Sequence, residues 1–94
     1  MRLNWTRLAI AGLDSAYEYV AADDPTAASR MIDRIGEAAS VLSRHPAAGR
    51  AGRVAGTREL VVTGTPFILP YRVRNGGVQI LAVIHGSQKL PDAL

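Results

Sequence analysis

The side chains able to do chemistry gather in the second half of the chain. His85, an imidazole able to accept or donate a proton, is accompanied by the Glu59 carboxylate, by the guanidinium groups of Arg50, Arg53, Arg58, Arg72 and Arg74, and by Lys89. Guanidinium forks bind phosphate oxygens bidentately, so His85 and Glu59 with Arg50, Arg53, Arg58 and Arg72 can be arranged as a base beside a phosphate clamp. A plainer account stands next to it. A His at the end of a strand is more often a hydrogen-bonded structural residue than a catalyst, Arg58 and Glu59 can form a surface ion pair, and any single Arg can be solvated surface. Metal chemistry is not expected, because cysteine is absent and His45 and His85 stand forty residues apart. No cofactor is expected either.

The elements that must position these residues begin with a modest chain. Its 94 residues suit one hydrophobic core, and a single domain over 1–94 is expected. Apolar residues make up 48% of it, yet no apolar run approaches the roughly 18 residues of a membrane span. The opening Met1-Arg2-Leu3-Asn4-Trp5 lacks the apolar stretch and small-residue cleavage site of a signal peptide, which predicts a cytoplasmic location and no membrane partner. Charge is unevenly spread. Residues 1–43 carry four basic and six acidic side chains, whereas 44–94 carry seven basic and two acidic. The C-terminal half therefore suits a polyanion or an acidic protein.

Arg2 to Trp5 alternates as a short strand, and Thr6 is placed to cap a helix over about 7–22, where Ala9, Leu13, Ala16, Tyr17 and Val20 share one face. Asp24-Pro25 opens a second helix running to about Arg44, with Ala28, Met31, Ile32, Ile35, Ala39 and Leu42 as its apolar stripe. The pair forms an antiparallel hairpin over about 7–44, and Gly36 within it predicts close packing between the helices. His45-Pro46 ends the second helix, and a Gly-, Ala- and Arg-rich loop follows over 46–57. The period then changes to two. Strands are predicted at about 58–63, 67–74 and 78–85, the last two joined by the tight turn Asn75-Gly76-Gly77. Pro70 argues against a regular central strand, since it cannot donate a ladder hydrogen bond. The expected fold is α+β, ordered β-α-α-β-β-β, with the helical hairpin packed on an antiparallel sheet. The other sheet face is left for function, lined by outward-pointing Arg58, Arg72 and Arg74 and flanked by Arg50 and Arg53.

Three strings carry a family resemblance: Gly49-Arg50-x-Gly52-Arg53-x-x-Gly56-Thr57-Arg58-Glu59-Leu60-Val61-Val62, then Pro66-Phe67-Ile68-Leu69-Pro70-Tyr71-Arg72-Val73, then Ile80-Leu81-x-Val83-Ile84-His85-Gly86, closing on Leu90-Pro91. Together with Asn4-Trp5-Thr6, the run of Leu13, Tyr17 and Tyr19, and Pro25-x-Ala27-Ala28, they resemble the RelE/ParE toxins of bacterial type II toxin–antitoxin systems, in the plasmid-stabilisation branch. The chain departs from the family at Leu90, where Trp is usual.

The resemblance implies a cytoplasmic toxin, neutralised by an acidic, partly disordered antitoxin that wraps it in a hetero-oligomer. It also implies one of two modes of growth inhibition. ParE-type members inhibit DNA gyrase without chemistry of their own. RelE-type members act as mRNA interferases, cutting ribosome-bound mRNA by driving a ribose 2′-hydroxyl onto the adjacent phosphate. That reaction needs proton transfer and fixed positive charge. The Lys and Arg positions of the nuclease members fall near Val62, Gly64 and Ile68, none of which carries charge. The expectation therefore leans to the gyrase mode. The alternatives are a nuclease using His85, Arg58 and Arg72 as catalytic residues, and an inactive member serving only as antitoxin partner or corepressor. Under any of these, Arg50, Arg53, Arg58, Arg72, Arg74 and Lys89 are expected to form the polyanion or antitoxin surface.

Overall fold

The computed structural model describes residues 1–87. The chain opens with β1 (Arg2–Trp5), passes through α1 (Arg7–Ala21) and α2 (Pro25–Arg44), and continues into β2 (Arg50–Ala51), β3 (Arg58–Val61), β4 (Phe67–Arg74), β5 (Gly77–Ile80) and β6 (Ile84–His85). Both helices begin at the residues equipped to start them. Thr6 Oγ1 accepts the Ala9 N–H and Asp24 Oδ1 accepts the Ala27 N–H, each at 3.1 Å. Pro25 sits in the first turn of α2, where its missing donor costs nothing.

The helical hairpin packs on one face of the sheet, as the apolar stripes require. Ala9 and Ala16 of α1 and Met31, Ile35, Ala39 and Leu42 of α2 meet Leu69, Tyr71, Val78 and Ile80 of the strands in the main core. The close approach occurs at Gly12, where a Cβ would lie 2.7 Å from the Val83 carbonyl oxygen. Gly36 corrects the expectation of close helix packing, because it is exposed and nothing lies within 4 Å of where its Cβ would be.

The α+β architecture is the one expected, but the sheet is mixed. Its order is β1-β5-β4-β3-β2, with β1 parallel to β5 and β6 paired to β4. The single predicted strand over 78–85 is broken in two. Between the pairs Tyr71↔Ile80 and Ile68↔Ile84, β4 has two residues, Leu69 and Pro70, while the facing chain has three, 81–83. Pro70 sits at this break, with no N–H to offer; its carbonyl still accepts the Leu81 N–H at 2.8 Å. The extra residue is a bulge that inverts the alternation. Val78, Ile80 and Val83 belong to the main core, whereas Ala82 and Ile84 join Ile68 in a separate cluster. Pro70 thus occupies a central strand and is fully buried.

The segment 46–57 is more ordered than a loop. Arg50 pairs with Glu59 and Ala51 with Arg58. The turn between them closes through the Gly52 N–H donating to the Thr57 carbonyl at 2.9 Å, with Gly56 at φ 80°, a conformation that favours glycine.

Candidate functional site

Strand register sorts the polar side chains by face. Leu3, Trp5, Leu69, Tyr71, Val78 and Ile80 point to the helices. The residues alternating with them point away: Arg2 and Asn4 on β1, Gln79 on β5, Arg72 and Arg74 on β4, Glu59 on β3 and its partner Arg50 on β2. This outer face is basic, with one buried carboxylate next to its β2 edge.

That carboxylate, Glu59, is only 2% exposed. Its Oε2 accepts the Arg53 backbone N–H and the Arg53 Nε–H, both at 3.0 Å, and its Oε1 accepts from Arg50 Nη2 at 3.4 Å. Burial pushes the carboxyl up. The Arg53 amide, guanidinium and charge, together with Arg50, outweigh burial and hold it below the ordinary 4.5. Glu59 is therefore an ionised anchor for the turn 52–57, and a poor proton acceptor. The expected Arg58–Glu59 ion pair is replaced by this arrangement. Arg58 is Tyr71's ladder partner and lies on the helix side, contrary to the expectation that it points outward. Its Nη1 donates to the Gly49 carbonyl at 2.9 Å and to that of Ala47 at 3.5 Å. The Tyr71 hydroxyl serves the same segment, donating to the Pro46 carbonyl at 2.7 Å and accepting the Gly49 N–H at 2.8 Å.

His85 also lies on the helix side. It pairs with Phe67, their rings meeting edge to face with centroids 5.9 Å apart. Its Nδ1 accepts the Ser87 N–H at 3.2 Å, with the Ser87 hydroxyl 2.8 Å away. A backbone N–H can only donate, so the neutral ring carries its proton on Nε2. The ring borders a groove of about 560 Å³ between α1 and β6, shared with Ser15, Tyr19 and Val83.

The three candidate catalytic residues are thus not brought together. Arg72, whose Nε donates to Gln79 Oε1 at 2.6 Å, is on the opposite face of the sheet from His85. Arg58 faces Tyr71, four positions or about 13 Å along β4 from the Phe67 that faces His85, and Arg58 and His85 lie on opposite edges of β4. What the structure does bring together is Arg50 with Arg53 over Glu59, and Arg72 with Arg74 on the same face. Lys89, Leu90 and Pro91 lie outside the described residues. Of the three uncharged positions that weighed against a nuclease in the sequence, Val62 and Ile68 are buried and Gly64 holds φ 81°.

Sequence reasoning passed over Arg2, Asn4 and Gln79. Arg2 stands in the acidic half of the chain, and only the parallel pairing of β1 with β5 carries it to the basic face. The one available signal was the alternation of Arg2 and Asn4 with the apolar Leu3 and Trp5.

Comparison with known proteins places these features in a family. The profile of the ParE toxin of type II toxin–antitoxin systems (parDE) matches residues 3–90. The toxin-designated protein Y4kP of Sinorhizobium fredii is 45% identical over 93 residues, covering 99% of this chain and 96% of its own. Toxin RelE2 of Caulobacter vibrioides is 37% identical over 84 residues, covering 89% and 93%. Among solved structures, a chain of the chromosomal ParDE toxin–antitoxin system from P. aeruginosa superposes with a TM-score of 0.81 at 36% identity, covering 90% of this chain and 95% of that one. Among the described residues, no helix is long and apolar enough to cross a membrane.

Proposed function

The chain belongs to the ParE toxin family of type II toxin–antitoxin systems, and from that premise we propose that it arrests growth by inhibiting DNA gyrase without chemistry of its own. The observation that carries this reading is the dispersal of the groups a nuclease would need. His85 and Arg72 lie on opposite sheet faces, Arg58 is turned to backbone carbonyls, and Glu59 is held as an ionised anchor. Cleaving a phosphodiester needs proton transfer and positive charge converging on one phosphate. An inhibitor that works by binding needs only a surface.

An antitoxin encoded beside the toxin is the proposed partner. The similar P. aeruginosa structure is described as a toxin–antitoxin system, and the basic outer face would complement an acidic, partly disordered segment that folds as it binds. A second reading, ribosome-dependent mRNA cleavage, draws its support from the similarity to toxin RelE2. Induced expression in a bacterial host separates the two. Under the gyrase reading, wild type and His85→Ala arrest growth alike and no new mRNA 5′ ends appear. Growth arrest with mRNA cleavage, both lost in His85→Ala, would overturn it. Wild-type expression without any arrest would leave only the inactive, antitoxin-binding role.

A further inference from the structure

The hairpin joining β4 to β5 turns on Asn75 and Gly76, whose positive φ angles of 52° and 71° are those of a type I′ turn. Its ladder closes at Arg74↔Gly77, which leaves the Gly76 N–H outside the strand pairing. Residues 73–76 are exposed, and nothing lies within 4 Å of where a Gly76 Cβ would be. The tip thus carries little packing, the condition under which local opening costs least.

The chemistry available there is internal. An asparagine carboxamide carbon can close a five-membered ring on the backbone nitrogen of the next residue, and glycine at that position puts no side chain in the way. Once the Gly76 nitrogen gives its proton to hydroxide, it attacks Asn75 Cγ. The new C–N bond forms, the Cγ–Nδ2 bond breaks, and ammonia leaves with a proton taken from water. Water then adds to either ring carbonyl and opens the ring, giving aspartate or isoaspartate. Arg2 and Arg74 flank Gly77 in the sheet, and their positive charge favours both the anionic nitrogen and the carboxylate that results. We propose that Asn75 is a site of spontaneous deamidation, a one-way modification of the hairpin tip. Asn75 lines a cleft of about 420 Å³ with Arg2, Arg74, Asn4 and Gln79, and no carboxylate is among its described lining residues. Conversion places one there and lowers the formal net charge of +3 by one unit. Aspartate suits the same turn, whereas isoaspartate lengthens the main chain by a methylene and breaks the register at Arg74↔Gly77. The inference rests on neither the gyrase nor the antitoxin reading.

Ageing the full chain in mildly alkaline buffer, followed by digestion at acid pH and mass spectrometry, tests it. The peptide holding residue 75 should gain the mass difference between an amide and an acid, and should accept methyl groups from an isoaspartyl methyltransferase. Both signals should grow faster as pH rises, because the attacking nitrogen must lose its proton. The chain's other asparagine, Asn4, is the internal control: it is paired to Gln79 within β1 and followed by Trp5, and it should stay intact. Since opening the tip costs little, the rate should lie within about tenfold of that of a free peptide of residues 72–78. Asn75→Gly keeps a favoured turn pair and should abolish the methyl acceptance. A rate more than about tenfold below the free peptide's, equal conversion at Asn4, or undiminished methyl acceptance in Asn75→Gly would overturn the proposal.

Discussion

Glu59→Gln keeps the shape of the buried side chain and removes its charge. Three hydrogen bonds converge on the carboxylate, one from the Arg53 backbone and two from guanidinium groups. Hydrogen bonds to charged groups contribute about 1.5–3 kcal/mol. The Arg50 and Arg53 side chains are 59% and 45% exposed, so solvent screening reduces each ion pair to about 0–1 kcal/mol. The backbone bond is the larger part, and glutamine retains a weaker version of it through its carbonyl oxygen. The expected net loss is about 1–2 kcal/mol, and each kcal/mol lowers the melting temperature of a chain this size by about 4–8 °C. Because the folded carboxyl lies below its ordinary 4.5, the wild type's advantage is fully present above that value. It is lost as pH falls through the depressed folded value. Urea denaturation of both proteins should therefore show a gap at about pH 7 that narrows by about pH 3. Equal stability near neutrality, or a gap unchanged by acid, would refute the account of Glu59 as an ionised anchor.

The two mid-helix glycines should respond oppositely to alanine. Gly36→Ala faces solvent and should gain about 0.5–1 kcal/mol, while Gly12→Ala drives a methyl into the Val83 backbone and should lose about 1–3 kcal/mol, both read from thermal melts. Tyr71→Phe strands the buried Gly49 N–H and should cost about 1–3 kcal/mol, with faster amide exchange at Gly49 measured by NMR.

Local signals were read well because local physics decides them. Thr6 and Asp24-Pro25 start their helices because a short side-chain acceptor satisfies a first-turn donor whatever the surroundings. Asn75 and Gly76 make their turn at φ 52° and 71° for a similarly local reason. What stayed hidden depends on residues far apart in the chain. The β1–β5 pairing, which carries Arg2 to the basic face, joins positions some seventy-five residues apart. Pro70 signalled an irregularity, but its consequence appears on the facing chain as the 81–83 bulge, which changes the face that His85 occupies. Glu59 looked like Arg58's partner because they are adjacent, yet adjacent strand residues point to opposite faces, so its partners come from 50 and 53. Gly12 and Gly36 are indistinguishable in a helical pattern until the sheet is in place.

Inhibition of gyrase by a chain that performs no cleavage of its own can be measured in a supercoiling assay with purified gyrase, relaxed plasmid and this protein, with and without its antitoxin. Inhibited supercoiling or trapped cleaved DNA, reversed by the antitoxin and unchanged in His85→Ala, is the expected result. Unimpaired supercoiling at large toxin excess, with cleavage of ribosome-bound mRNA by the same preparation, would contradict it.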